Sequence, residues 1–117
     1  MPYLQLNTSV KMSDAQKHEL CCEIGKLMPL IPGKTRDNTM MAIFDGCFME
    51  KGDNGLPALN LVVRVLGGVS DDDKNTFIAS VSGLFEDKLS VRQDFMYINI
   101  VALDDWGSGG ALKKPGK

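Results

Sequence analysis

The chain repeats itself. Residues 2–6 read PYLQL and residues 57–61 read PALNL, two alternating apolar stretches that start 55 positions apart. Leu4 and Leu6 in the first, like Leu59 and Leu61 in the second, fall on one face of a strand. Each stretch is followed by a serine and acids, SDAQ at 13–16 and SDDD at 70–73. Both read as helix starts, with Ser13 and Ser70 as N-caps and acidic residues favoured by the helix dipole. Ser13 and Gln16 have the spacing of a capping box. The apolar period then becomes helical: Leu20, Ile24, Leu27 and Met28 before Pro29 in one unit, and Phe77, Ile78, Val81, Leu84 and Phe85 in the other. Each helix leads to another apolar strand, TMMAIF at 39–44 and FMYINIV at 95–101. Arg36-Asp37 and Arg92-Gln93 stand before them at similar offsets.

Two βαβ units, about 2–45 and about 57–101, therefore make an α/β (α+β) fold. A strand–helix–strand crossover leaves its two strands parallel and is almost always right-handed. Four strands in one sheet with both helices on one face leave the other face uncovered. Met40, Ile43, Val62, Val63, Val65, Ile98 and Ile100 put apolar side chains on both faces, so the uncovered one predicts self-association. The stretch 46–56, GCFMEKGDNGL, connects the units. Residues 107–117 are rich in glycine and lysine and read as a flexible tail.

Charge and cysteines narrow the partners. Lys and Arg number 13 against 15 Asp and Glu, with no basic footprint for nucleic acid. No apolar run reaches the length of a membrane span, and the first residues lack the pattern of a secretory signal. Cys21, Cys22 and Cys47 suit a reduced, cytoplasmic protein better than a disulfide scaffold. One histidine, His18, and no CxxC argue against a metal site. Asp71-Asp72-Asp73 reads as a helix cap, and His18 as a surface residue. Of the mid-helix pair Cys21 and Cys22, one is expected buried and one partly exposed.

Pro2 raises a chemical question. Initiator methionine is generally removed before a residue as small as proline, which would leave a rigid secondary amine at the start of a strand. Pro2 can equally be a strand-starting proline, and Lys34 after Gly33 a solvated lysine past a helix exit. Asn99 in an otherwise apolar strand is costly unless satisfied, which favours an interface or a site.

With its Met-Pro start, NTSV at 7–10, Gly33-Lys34, Pro57-Ala58-Leu59, Leu66-Gly67-Gly68 and Tyr97-Ile98-Asn99, the chain resembles the tautomerase superfamily. Within it, the chain resembles the macrophage migration inhibitory factor and D-dopachrome tautomerase family. The resemblance covers roughly 2–106, as a single tautomerase-like domain. It implies a trimer whose three sheets form an inner barrel, with active sites between adjacent subunits. It also implies that Pro2 is the general base, without any cofactor. Lys34 would hold a substrate carboxylate and lower the amine's pKa from about 8. The backbone at Leu66 would offer a polar contact, and Tyr97 and Asn99 would come from the neighbouring subunit.

The implied activity is keto–enol tautomerisation of phenylpyruvate-like 2-oxo acids, with dopachrome isomerisation alongside. The alternative is a cytokine-like interaction protein with a vestigial pocket, exported without a signal peptide and meeting a protein partner. A third reading is a related enzyme for another unsaturated acid. Two departures stand out. The CxxC of cytokine-type members is replaced by Pro57-Ala58-Leu59-Asn60-Leu61, which removes the expected thiol–disulfide activity. The end of the chain after Tyr97 is shorter up to Trp106 and lacks the usual aromatic terminus, which alters the outer wall of the pocket.

Overall fold

A computed structural model describes residues 1–116. The first unit is β1 (Pro2–Thr8), α1 (Asp14–Leu27) and β2 (Met40–Phe44), and the second is β3 (Leu59–Leu66), α2 (Asp71–Leu89) and β4 (Met96–Leu103). The repeat extends to the turns: a short 3-10 turn precedes each closing strand, at Arg36–Asn38 and at Gln93–Phe95.

Within each unit the crossover makes the strands parallel, Tyr3 beside Met40 and Leu59 beside Met96. The units join through their first strands, which run antiparallel with Pro2 opposite Val65 and Thr8 opposite Leu59. The sheet order is therefore β2-β1-β3-β4.

Alternation decides which face is covered. Leu4 and Leu6 of β1 and Leu59, Leu61, Val63 and Val65 of β3 are buried with Leu20 and Ile24 of α1 and Phe77, Val81 and Phe85 of α2. Burying a side chain of this size contributes about 1.5–3 kcal/mol, whereas a good N-cap contributes about 1. Packing on the sheet, rather than capping, holds the helices. The caps set where they start. Gln16 N donates to Ser13 Oγ and Ser13 N to Gln16 Oε1, completing the capping box, and Asp73 N donates to Ser70 Oγ. Lys17 of α1 pairs with Asp45 just past β2 at 2.9 Å. Asp45 also accepts from Met12 N at 2.8 Å.

The opposite face carries no helix. Tyr3, Gln5 and Asn7 point outward from β1, linked in a row: Tyr3 hydroxyl to Gln5, Gln5 amide to Asn7. On the outer strands the outward positions hold exposed Met40, Phe44, Tyr97 and Val101.

Two expectations are corrected. The segment from 107 on is not simply a tail: β5 (Trp106–Ser108) pairs antiparallel with β6 (Ala111–Lys113). Gly109 and Gly110 both have positive φ, 62° and 79°, the requirement of a two-residue hairpin turn. Lys117, the last residue of the expected tail, lies outside the described residues. Cys21 is half-buried and Cys22 exposed, so neither is a core residue.

Candidate active site

Pro2 is buried at the first position of β1, where the two inner strands end. A cavity of about 530 Å³ opens there. Met1, Pro2 and Tyr3 form one side of it, Asn38 and Met40 a second, and Arg64 and Leu103 a third. Asp105, Trp106, Gly107 and Ser108 also line it, so the first strand of the hairpin forms part of its wall. Asp105 is paired with Lys114 at 3.7 Å.

Lys34 is delivered by a turn. Gly33 has φ 79°, a backbone conformation that L side chains rarely adopt. Lys34 N donates back to Ile31 O, and the Lys34 ammonium donates to Leu66 O at 3.2 Å at the end of β3. The Leu66 carbonyl is thus a partner of Lys34. The ammonium is near enough for its charge to act on the amino terminus. Burial first, and Lys34 second, hold the Met1 amine below the usual value of 8.0. While Met1 is attached, the Pro2 nitrogen is an amide and carries no base.

Tyr97 and Asn99 are not brought to Pro2 within one chain. Both point outward from β4; Tyr97 is 60% exposed. Pro2 pairs with Val65 and Val65 with Ala102. Tyr97 lies five positions from Ala102 along β4, ~17 Å at the rise of a strand. Tyr97 and Asn99 instead line a second depression with Asn60 and Gln93. Asn60 Nδ2 donates to Tyr97 O at 3.1 Å. The Lys51 ammonium lies over the Phe95 and Tyr97 rings at 5.3 and 5.4 Å.

Asn38, Arg64 and Ser108 line the cavity without having stood out in the sequence. The available signal was register: Arg64 lies across from Tyr3, the residue next to Pro2. A further cavity of about 310 Å³ lies between α1 and the end of α2, with Met12, Leu20 and Leu89 inside and the Glu19–Lys88 pair at its rim. It contains none of the expected site residues.

The fold and the terminal cavity define a doubled βαβ protein of the tautomerase superfamily. The chain belongs to the macrophage migration inhibitory factor (MIF) family, whose sequence model matches residues 1–111. It is similar to D-dopachrome decarboxylase-B of Xenopus laevis, 23% identical over 93% of this chain and 92% of that protein. Leishmania major MIF2 superposes with a TM-score of 0.88 at 19% identity, over 97% of each chain. The macrophage migration inhibitory factor of Trichinella spiralis superposes with 0.82 at 22% identity, over 95% of this chain and 99% of that one. Family membership supports a tautomerase-type or MIF-like function, and the solved structures support the fold.

Proposed function

We propose that the chain, freed of Met1, is a cofactor-independent keto–enol tautomerase of phenylpyruvate-like 2-oxo acids, with Pro2 as the general base. The carrying observation is the position of Pro2, buried at the strand start and lining an open cavity. One residue away, the Met1 amine is held below its ordinary pKa by burial and by Lys34, and a Pro2 amine would start from the same end of the sheet. A base of this kind is neutral, and so able to accept a proton, at a lower pH than a free α-amino group. The amine takes a proton from C3 of the keto acid and the resulting ammonium delivers it to the C2 oxygen of the enolate, and the reverse transfer regenerates the ketone.

Lys34 is the cation for the substrate carboxylate, exchanging the Leu66 carbonyl for it. Tyr97 and Asn99 reach the cavity from a neighbouring copy in a trimer. Two features support this assembly: the uncovered sheet face with its exposed apolar side chains, and the distance of these two residues from Pro2 in their own chain. The dopachrome chemistry in the name of the Xenopus relative makes dopachrome isomerisation the second activity to assay.

The test compares protein of verified intact mass with and without Met1. Turnover of phenylpyruvate only by the Met1-free form is expected. Equal turnover by an N-terminally blocked form overturns the mechanism and moves the reading to a cytokine-like interaction protein.

A further inference from the structure

We propose that Arg64 is a second anion anchor in the Pro2 cavity, which makes the preferred substrates 2-oxo acids bearing a second carboxylate. This rests on the tautomerase reading above and narrows its substrate class. Lys34 acts on the amino terminus, yet the cation that lines the cavity itself is Arg64. It projects from the uncovered side of β3, in register with Tyr3. Its guanidinium lies over the Tyr3 ring at 5.7 Å. The Tyr3 hydroxyl in turn donates to Gln5 Oε1 at 3.1 Å, which fixes the far end of that ring.

Among the described residues Arg64 forms no ion pair, and the acid in the cavity, Asp105, is paired with Lys114. The guanidinium is therefore oriented without being neutralised. Such a planar fork fits a carboxylate through two parallel hydrogen bonds, which a point-charge lysine cannot supply. A monocarboxylate needs one cation at this site. Arg64 lines the cavity of about 530 Å³, and Lys34, held outside its lining on the Leu66 carbonyl, is the second cation at this end of the sheet.

The test uses full-length protein lacking Met1, with phenylpyruvate and oxaloacetate as monocarboxylate and dicarboxylate probes. Thermal melts verify the fold of Arg64→Ala and Arg64→Lys. Loss of a charge-assisted contact is expected to raise KM for oxaloacetate in Arg64→Ala by about tenfold or more, with kcat retained. The rise in KM for phenylpyruvate should be several-fold smaller, and Arg64→Lys should recover part of the loss for oxaloacetate. An equal effect on both substrates, or none on either, overturns the proposal. If neither is turned over, the tautomerase reading has failed, and the anchor is judged by binding alone. Trp106, the single tryptophan, lines the cavity and reports binding by fluorescence. Tighter binding of glutarate than of butyrate, lost in Arg64→Ala, upholds the anchor. Equal binding of the two acids overturns it.

Discussion

Met1 and Pro2 share one peptide bond, and the chemistry proposed for this end of the sheet turns on whether it is cut. Once it is cut, the new amine lies one residue further in, at a buried position, and the proposed mechanism has Lys34 act on it as it acts on the Met1 amine. The rate should then rise with pH through a pKa lower than that of a free α-amino group. Lys34→Ala removes the second of the two causes and leaves burial, the larger one, in place. The amine's pKa should therefore move part of the way back up. In pH profiles of kcat/KM the rising limb should shift to higher pH, so the variant loses most at acidic pH. An unmoved limb would separate Lys34 from the base. Pro2→Ala replaces the secondary amine with a primary one and should lose only part of the ~10²–10⁴-fold contribution of a positioned base. Steady-state assay of Met1-free Pro2→Ala checks this. Pro2 and Lys34 were legible in the sequence as a resemblance. Arg64, Asn38 and Ser108 were not, because an exposed polar residue in a strand or loop leaves no periodic mark.

At the scale of the elements, local chemistry and the repeat spoke together. SDAQ announced a capping box, and both halves of it form. Ser13→Ala should cost about 1 kcal/mol in denaturant unfolding. Ser90 closes α2 in a left-handed conformation at φ 55° while its N–H donates to Glu86 O. Glycine at that position avoids the strain, so Ser90→Gly should raise stability by about 1 kcal/mol in the same measurement. The Lys17–Asp45 pair sets a pH signature. Lys17 and the Met12 N–H hold the Asp45 carboxyl below its usual range, while Asp45 holds the Lys17 ammonium above its own. The Asp45 contribution is present above the ordinary carboxylate pKa and is lost as pH falls through the lowered one. The Lys17 contribution is present below the ordinary lysine pKa and fades as pH rises through the raised one. Asp45→Asn should flatten both limbs in thermal melts across pH. The hairpin was misread because GSGG was counted as flexible composition. Two adjacent glycines can instead supply the two positive φ angles that a tight turn demands.

For the whole molecule, the uncovered face is the feature that the sequence announced most directly. Alternation in four strands with only two helices leaves one face without a partner. Which residues would cross a subunit boundary, Tyr97 and Asn99, came only from the family resemblance, since that depends on the docking of copies. A trimer of the 12.8 kDa chain is expected in sedimentation. Val62 lies on the bare face between Gln5 and Asn99 and does not line the Pro2 cavity. Val62→Asp should yield a folded monomer by circular dichroism that has lost turnover, because Tyr97 and Asn99 no longer arrive. A monomeric variant with full activity would place the whole site within one chain.

The strand order has a consequence for biosynthesis. β1 is synthesised before β2 and β3, yet it ends up inside the sheet with one of them on each edge. Its antiparallel partner is complete only at residue 66, roughly 3–12 s later at ordinary elongation rates. Until then the N-terminus is an open peptide; afterwards Pro2 is buried. Trimming by an aminopeptidase therefore runs against a clock set by translation of β3. Unfolded chains that still carry Met1 should be trimmed readily by such an enzyme. The same chains once folded should resist it, locking each molecule into the state in which its sheet closed.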